Sequence, residues 1–76
     1  MPTLLDQDGF KFFFYANEHD PKHIHVMSAD GFAKIELGTL VVVKEKMSPA
    51  ALKRALKIAE EHNSEFERKW DEFFYR

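Results

Sequence analysis

The stretch that decides the fold is residues 23–37, which read HIHVMSADGFAKIEL. Two runs of alternating character, residues 23–29 and 32–37, flank the pair Asp30 and Gly31. Alternation with a period of two is typical of a half-buried strand, and Asp-Gly is a preferred pair for a two-residue hairpin turn. The stretch therefore predicts an antiparallel β-hairpin with a type I′ turn at Asp30 and Gly31.

The predicted turn fixes a register, and hydrophobicity supports it. If Ala29 and Phe32 close the turn, all the strong aliphatic side chains of the hairpin share one face. They are Ile24, Val26, Ile35 and Leu37. A slip of one residue would move one strand's aliphatics to the opposite face. The same register places His25 directly across from Glu36, on the other face.

Three shorter segments predict further strands around this hairpin, at residues 3–5, 10–16 and 40–43. Turn residues at 6–9 separate the first two segments. The middle segment is rich in aromatics, which favours a strand. Its alternation divides the side chains between two faces. Phe10, Phe12 and Phe14 lie on one face, and Lys11, Phe13 and Tyr15 lie on the other.

The chain changes character near Met47, after which the pattern is helical. Ser48 is an N-cap candidate, and Pro49 suits the first helical position. Apolar residues then recur in a 4-3 rhythm, with Asn63 on the same stripe. They are Leu52, Leu56, Ala59, Phe66, Trp70 and Phe73. One helix to Phe74 would span roughly 39 Å, which is long for a domain with a radius of gyration of about 11 Å. We therefore expect a break at residues 62–64, with Ser64 capping a second helix.

These patterns predict an α+β fold and one domain over residues 1–76. The strand-rich half, residues 1–46, forms an antiparallel meander of three to five strands. The helical half, residues 47–76, packs two helices on one face of that meander.

Composition narrows the classes of function. The chain has 76 residues and no cysteine, which excludes a disulfide framework and thiolate chemistry. No apolar run approaches the roughly 18 residues of a membrane span, and the N-terminus does not resemble a signal peptide. We therefore expect a cytoplasmic protein. The net charge of −2 gives no global attraction to nucleic acid.

Residues 17–25 read NEHDPKHIH and hold three of the four histidines. His23 and His25 are two apart on a predicted strand, so they share a face. The preceding loop supplies His19, with Glu18 and Asp20 at the rim of the same cluster. If the aromatic strand pairs with the histidine strand, Phe13 or Tyr15 lines this cluster too.

Three interpretations of this cluster remain open from the residues alone. A divalent transition metal such as Zn²⁺ or Ni²⁺ would be bound by His19, His23, His25 and Glu18. Alternatively, His19, His23 and His25 with Glu36 would perform acid–base catalysis. Nearby Lys22 and Lys34 would then suit phosphodiester cleavage. In the third interpretation the cluster is a solvent-facing polar surface of a hairpin.

The C-terminal residues suggest an interaction surface. Phe74 and Tyr75 fall beside the helical stripe, so we expect them to be exposed and to bind a partner. Asn63 on the stripe leaves open a homodimer through the C-terminal helices.

Four segments resemble a known bacterial family, the domain of unknown function 4160. They are MPTLL, GFKFFFYANEHDPKHIHV, DGFAKIEL and MSPAALKRALKIAEEHNSEFERKWDEFF, at residues 1–5, 9–26, 30–37 and 47–74. The family pattern is F-x-x-x-E-H-x-P-x-H-x-H-V. Its positions are matched by Phe14, Glu18, His19, Pro21, His23, His25 and Val26, and a later tryptophan by Trp70. The segment LVVVKEK at residues 40–46 is more strand-like than the family pattern.

The resemblance implies a small cytosolic protein encoded beside another small protein, in an arrangement like a toxin–antitoxin pair. It implies no catalytic assignment. The first functional expectation is therefore a toxin–antitoxin-like or regulatory module that binds a small partner protein through a His/Glu-rich face. The alternative is a small hydrolase or ribonuclease that uses the histidines, with or without a metal.

Overall fold

The computed structural model describes residues 3–15, 17–19 and 21–75, and these form five strands followed by two helices. The strands are β1 (Thr3–Gln7), β2 (Phe10–Phe13), β3 (His23–Ser28), β4 (Gly31–Glu36) and β5 (Val42–Lys46). The helices are α1 (Pro49–Glu61) and α2 (Asn63–Phe74). The strands pair antiparallel in the order β1-β2-β3-β4-β5. This confirms the predicted α+β meander; Ala16, the predicted end of the second strand, lies outside the described residues.

A tight turn at Asp8 and Gly9 joins β1 to β2. Both residues have positive φ, 54° and 82°, as a type I′ turn requires. Gln7 and Phe10 pair directly on either side of it. The turn expected within residues 6–9 is therefore a two-residue hairpin loop.

The predicted register of β3 and β4 is wrong by two residues. Ser28 pairs with Gly31, so the loop consists of Ala29 and Asp30, neither of which has positive φ. A shift of two preserves the alternation, so the aliphatic side chains still share one face. The pairs on the other face change, however: His25 lies opposite Lys34, and Glu36 lies opposite His23.

Contacts with the β5–α1 connection explain this register. Gly31 has a φ of +143°, and a side chain at this position would collide with the carbonyl oxygen of Lys46. The Asp30 carboxylate accepts a 2.6 Å hydrogen bond from the Ser48 N–H. Gly31 therefore lies in β4 against the end of β5 and not in the hairpin turn, while Asp30, in the turn, holds the β5–α1 connection through its side chain.

Strand β5 begins two residues later than predicted and includes the polar residues 44–46. It is an edge strand, and the side chains of Val43 to Lys46 are exposed. Charged residues are common on such edges because they discourage further strand pairing. The prediction from hydrophobicity alone therefore began and ended this strand too early in the sequence.

The helix signals are largely confirmed. The Ser48 hydroxyl accepts a 3.2 Å hydrogen bond from the Ala51 N–H, and Pro49 is the first helical residue. The chain breaks at His62, as expected, but Ser64 does not cap α2. Instead α2 begins at Asn63, whose side-chain oxygen accepts a 2.9 Å hydrogen bond from the Gly38 N–H. The amide on the helical stripe thus serves a contact within the chain.

The helices cover one face of the sheet, here called the inner face. Its core includes the three inner-face phenylalanines of the aromatic segment and the aliphatics of β3 and β4. Helix α1 buries Ala51, Ala55, Ile58 and Ala59, whereas Leu52 and Leu56 are half-buried. Alanine side chains let a helix approach the sheet closely, so the buried stripe is rotated from the predicted one.

Within the described ranges, neither α1 nor α2 combines the length and apolar character that a membrane crossing requires.

Candidate functional site

His23 and His25 lie at the end of the sheet where β2 stops and β3 begins. The His25 ring stacks on Phe13, with ring centroids 5.6 Å apart and an interplanar angle of 19°. Tyr15 packs edge-on against the same imidazole at 4.6 Å. These two aromatics fix the plane of the His25 ring and leave it half-buried. The aromatic lining expected from residues 13 and 15 is present.

His23 is almost fully buried, with 5% of its surface exposed. Its ring packs against Trp70 of α2, with centroids 5.1 Å apart. Its Nδ1 lies 2.9 Å from the carbonyl oxygen of Pro21. A carbonyl only accepts, so Nδ1 carries the proton and donates it. In the neutral ring, Nε2 is therefore an unprotonated lone pair.

Glu18 places one carboxylate oxygen between the two imidazoles. Its Oε2 lies 2.6 Å from Nε2 of His25 and 2.9 Å from Nε2 of His23. The His25 contact is a hydrogen bond, with the ring N–H donating. The His23 contact has a suitable length, yet within the described part of the chain Nε2 of His23 makes no hydrogen bond. The buried Nε2 of His23 thus faces a carboxylate without forming a hydrogen bond in the described structure.

The protonation equilibria of this group favour forms that can ligate a metal. Burial alone raises the pKa of the Glu18 carboxyl, but the two imidazoles beside it outweigh burial and hold that pKa below its ordinary value. Burial lowers the pKa of His25, and the charge of Lys34 adds to this, although Glu18 opposes it. At neutral pH the group therefore contains a carboxylate and a neutral His25, as metal ligands must be.

The three ligand atoms, one from each side chain, lie within 4.8 Å of one another. Two imidazoles and one carboxylate form a donor set that suits Zn²⁺ and related first-row ions. His23 also shows the support expected of a metal-binding histidine, because its other ring nitrogen donates to a backbone carbonyl. Glu18, His23 and His25 are thus a group that could hold one metal ion.

Two of the predicted site residues lie beside this group and not within it. His19 is exposed, and its side chain is not among the converging ligands. Glu36 is opposite His23 because of the corrected register, and its Oε1 accepts a 2.8 Å hydrogen bond from the Thr39 hydroxyl. The expected pairing of Glu36 with His25 is wrong. Asp20, expected at the rim, lies outside the described residues.

An open groove of about 400 Å³ runs along the group. His19 and Glu36 line it, together with Lys34. His23 and Glu18 also contribute to its wall, so the candidate ligands are accessible from it. The groove is therefore lined by His19, His23, Glu36 and Glu18 from the two predicted sets, whereas His25 does not line it.

The loop before β3 is fixed from both sides. The backbone carbonyl of Lys22 accepts a 2.9 Å hydrogen bond from the Leu37 N–H. Its ammonium group forms a 2.8 Å ion pair with Asp71 of α2, which raises the pKa of Lys22 through the hydrogen bond to that carboxylate. Lys22 is thus engaged with α2, whereas Lys34 lines the groove.

The predicted partner-binding residues differ in exposure. Phe74 is half-buried, because its ring packs against Trp70 at 4.3 Å and against Phe14 at 5.8 Å. Tyr75 is 55% exposed. The expectation of a shared exposed surface is therefore met by Tyr75 and not by Phe74.

Sequence reasoning missed the contribution of the helical half to the site. Trp70 was interpreted only as core, yet it forms the wall behind His23. The spacing of Pro21 and His23 was a usable signal, since a side chain on a strand end can return to the backbone two residues earlier. No local signal connects Trp70 with a histidine 47 positions away.

Comparison with known proteins places this geometry in a family. No curated protein and no solved structure shows significant similarity to the chain. The family model described as Domain of unknown function (DUF4160) matches residues 9–71, which include the whole candidate site. The match covers well over half of the chain, and the chain therefore belongs to the DUF4160 family.

Proposed function

We propose that Glu18, His23 and His25 bind one divalent transition metal, Zn²⁺ or Ni²⁺, and that the protein is a small metal-dependent hydrolase of phosphate esters. One observation carries the proposal. The Nε2 atom of His23 is buried and without a hydrogen bond among the described residues, although it lies 2.9 Å from a carboxylate. A cation bound between these atoms would give the buried nitrogen a partner and would balance the charge of the carboxylate.

The groove supports hydrolytic chemistry beside such an ion. Three protein ligands leave further coordination positions for water or substrate, as in catalytic zinc sites. A metal in this position would lower the pKa of water and polarise a phosphoryl group. Lys34, which lines the groove, would bind an anionic substrate. These features favour a phosphate ester over a neutral substrate.

Proton transfer is assigned to the remaining groove residues. In the proposed reaction, water attacks phosphorus, the ester P–O bond breaks, and Glu36 accepts a proton from the attacking water. His19 donates a proton to the leaving alkoxide, so the proton balance closes. Both side chains line the same groove and are not among the converging ligands.

The first experiment measures metal binding. Protein stripped with a chelator is titrated with Zn²⁺ or Ni²⁺, and binding is followed by calorimetry and by NMR of the histidine rings. We expect one ion per chain, with the resonances of His23 and His25 shifting together. Glu18→Gln and His25→Ala should each weaken binding at least about tenfold, since even the loss of a residue that only supports a ligand costs about that much.

The chain offers a matched control. His62 and Glu65 form a second His–Glu contact at 3.3 Å, which lies on the surface of α2 and has no third ligand in the described structure. His62→Ala should leave metal affinity unchanged. Binding that survives in Glu18→Gln and His25→Ala, or that disappears in His62→Ala, would refute the assigned ligands.

The second experiment measures turnover of a phosphodiester such as bis(p-nitrophenyl) phosphate. We expect activity that requires metal, that is lost in His25→Ala, and that shows a raised KM in Lys34→Ala. Glu36→Gln and His19→Ala should lower kcat while metal content stays constant. Turnover that persists in excess chelator would contradict the proposed mechanism.

A second candidate function, partner binding, is supported by a different feature. Val41 and Val43, at the open edge formed by β5, are 55% and 54% exposed. The charged residues 44–46 discourage pairing along the rest of β5, but the exposed valines at its start favour pairing with another chain. A small partner protein of the toxin–antitoxin kind would add a strand there and cover the adjacent groove.

Co-expression with the protein encoded next to this one, followed by size-exclusion chromatography, tests this candidate. Val43→Asp should abolish the complex and leave metal affinity unchanged, whereas Val41→Ala should have a weaker effect. A complex that tolerates Val43→Asp would exclude this edge as the interface, and Tyr75 would be the next residue to test.

A further inference from the structure

We propose that the face of the sheet opposite the helices, here called the outer face, binds single-stranded nucleic acid and guides it to the groove. The inference names the substrate class of the proposed hydrolytic site, and in that respect it rests on the proposed function. The binding itself needs no metal, so the two are tested separately.

The outer face is organised as two rows of side chains that cross the strands. The register places Lys11 beside Met27, Met27 beside Phe32, and Phe32 beside Lys46. This first row has cations at both ends and exposed apolar side chains in the middle. Met27 is 47% exposed and Phe32 is 41% exposed.

The second row lies one pleat closer to the histidine site, about 6.6 Å along the strands. It contains Phe13, His25, Lys34 and Lys44 in spatial order. The cationic end of this row again lies towards β5. Together the two rows combine aromatic rings on β2, β3 and β4 with one lysine on β2 and three on β4 and β5.

Between the rows is a hollow of about 170 Å³, lined chiefly by Phe13, Tyr15, His25, Met27 and Phe32. Tyr15 is 47% exposed and stands edge-on to Phe13, with centroids 5.3 Å apart. Phe13 itself is buried, so the exposed rings at the hollow are those of Tyr15 and Phe32. Exposed rings beside a shallow hollow are suited to stacking with unpaired bases. A duplex keeps its base faces inside its own stack, so this arrangement favours a single strand.

The charges of the outer face complement a phosphate backbone. The two rows contain four lysines, and among the described residues none of these forms an ion pair. Of the carboxylates around the rows, Asp6 lies opposite Lys11, Glu45 follows Lys44 on β5, and Glu18 and Glu36 line the groove. The net charge of the chain is −2, but the two rows themselves contain four lysines and no carboxylate.

The outer face is continuous with the candidate metal group. His25 lines the hollow and is one of the three ligands. Lys34 belongs to the second row and to the groove. A base bound in the hollow would therefore place its own backbone phosphate beside Lys34 and the ligands.

The test is fluorescence anisotropy with labelled oligonucleotides in excess chelator. Oligo-U and oligo-dT strands of about 12 nucleotides, a length that spans typical single-strand sites, are titrated at several salt concentrations. A duplex of the same length and dextran sulfate serve as competitors. We expect saturable binding of the single strands and competition by neither the duplex nor dextran sulfate at equal charge.

Three variants separate stacking from charge. Phe32→Ala should weaken binding about tenfold, as the loss of one stacked base does. The double variant Lys44→Ala/Lys46→Ala should lower the slope of log affinity against log salt by about 1.4, since each phosphate contact to a single strand contributes about 0.7. Lys53→Ala/Lys57→Ala, a matched pair on the exposed surface of α1, should change neither quantity.

The outcomes distinguish this inference from the proposed function. Single-strand binding in chelator with these variant effects supports the outer face even if no metal binds. No saturable binding, or equal binding of duplex and dextran sulfate, overturns it even if Zn²⁺ binds tightly, and would leave the exposed aromatics to a protein partner.

Discussion

The two faces of the sheet are built from the same strands and differ in almost every property. On the inner face, Phe12, Ile24 and Ile35 have no exposed surface, and they pack against the helices. On the outer face, Tyr15 and Phe32 stay partly exposed between lysines and the histidine group. Because successive residues on a strand point to opposite faces, one residue packs in the core while its neighbour in sequence stays partly exposed.

The comparison shows where substitutions should affect stability and where they should affect binding. Burial on the inner face contributes most of the free energy of folding, since the chain has no disulfide or other covalent staple. The exposed side chains of the outer face contribute little to that free energy, so they are available for the proposed binding. Stability and binding should therefore separate by face, even between residues of the same type.

The largest effect is expected for a phenylalanine of the inner face. Phe12→Ala removes a fully buried ring that stacks on Phe66 at 5.4 Å. We expect a loss of about 3–5 kcal/mol in the free energy of unfolding. Phe32→Ala on the outer face is the matched control and should cost about 0.5 kcal/mol or less. Urea unfolding followed by Trp70 fluorescence measures both, and similar losses would contradict the division of tasks.

A second pair of variants tests two Asp-Gly sequences with different roles. Gly31→Ala introduces a Cβ against the carbonyl oxygen of Lys46. We expect it to cost about 2–4 kcal/mol, because backbone strain is added to the steric clash. Gly9→Ala meets nothing within 4 Å, so it should cost only the left-handed strain of about 1–2 kcal/mol. If Gly9→Ala proves the more harmful change, the close approach of β5 to Gly31 is not what fixes the register.

This pair also shows how far sequence reasoning reaches. Alternation predicted the strands and the shared face of His23 and His25, because a period of two depends only on local geometry. It did not distinguish registers that differ by two residues, since both keep the same faces. The deciding contacts, of Gly31 with Lys46 and of Asp30 with Ser48, join residues more than 14 positions apart. These contacts cannot be inferred from the residues of the turn alone.

The sequence predicted which residues belong to the candidate site better than it predicted their contacts. Glu18, His23 and His25 were named from their spacing, since a loop and a strand end bring them to one end of the sheet. The assignment of Glu36 to His25 failed with the register, and Trp70 could not be connected with His23 before the helices were packed. The features that the sequence did not predict are tertiary contacts, and the contact of Trp70 with His23 depends on how α2 packs at the end of the sheet.

A smaller effect is expected from pH, and it tests the histidine end of the outer face. The pKa of His25 is lowered from 6.5, so the unfolded chain binds its proton more readily than the folded chain does. The stabilising contribution is therefore present above pH 6.5 and is lost as pH falls through the lower folded value. Glu18, with a pKa lowered from 4.5, adds a loss of the same sign in more acidic solution.

Urea unfolding in chelator at about pH 7.5 and about pH 5.5, on either side of the ordinary histidine pKa, measures this dependence. The wild type should lose stability on acidification, and His25→Gln should lose less. A wild type that becomes more stable towards pH 5.5 would show that the attraction of Glu18 for a protonated ring outweighs burial.

The smallest effect on stability is expected at the ion pair that joins the loop before β3 to α2. Lys22→Ala removes the ion pair with Asp71, whose side chain is half exposed. Exposed pairs contribute about 0–1 kcal/mol, and the backbone hydrogen bond from Leu37 to Lys22 remains in the variant. Arg68→Ala removes a pair of equal length within α2 alone and is the matched control.

If both variants lose equally little stability but only Lys22→Ala weakens Zn²⁺ binding, the ion pair serves to position the loop that leads into His23. If neither changes metal affinity, the Pro21 carbonyl and Trp70 suffice to hold His23 in place.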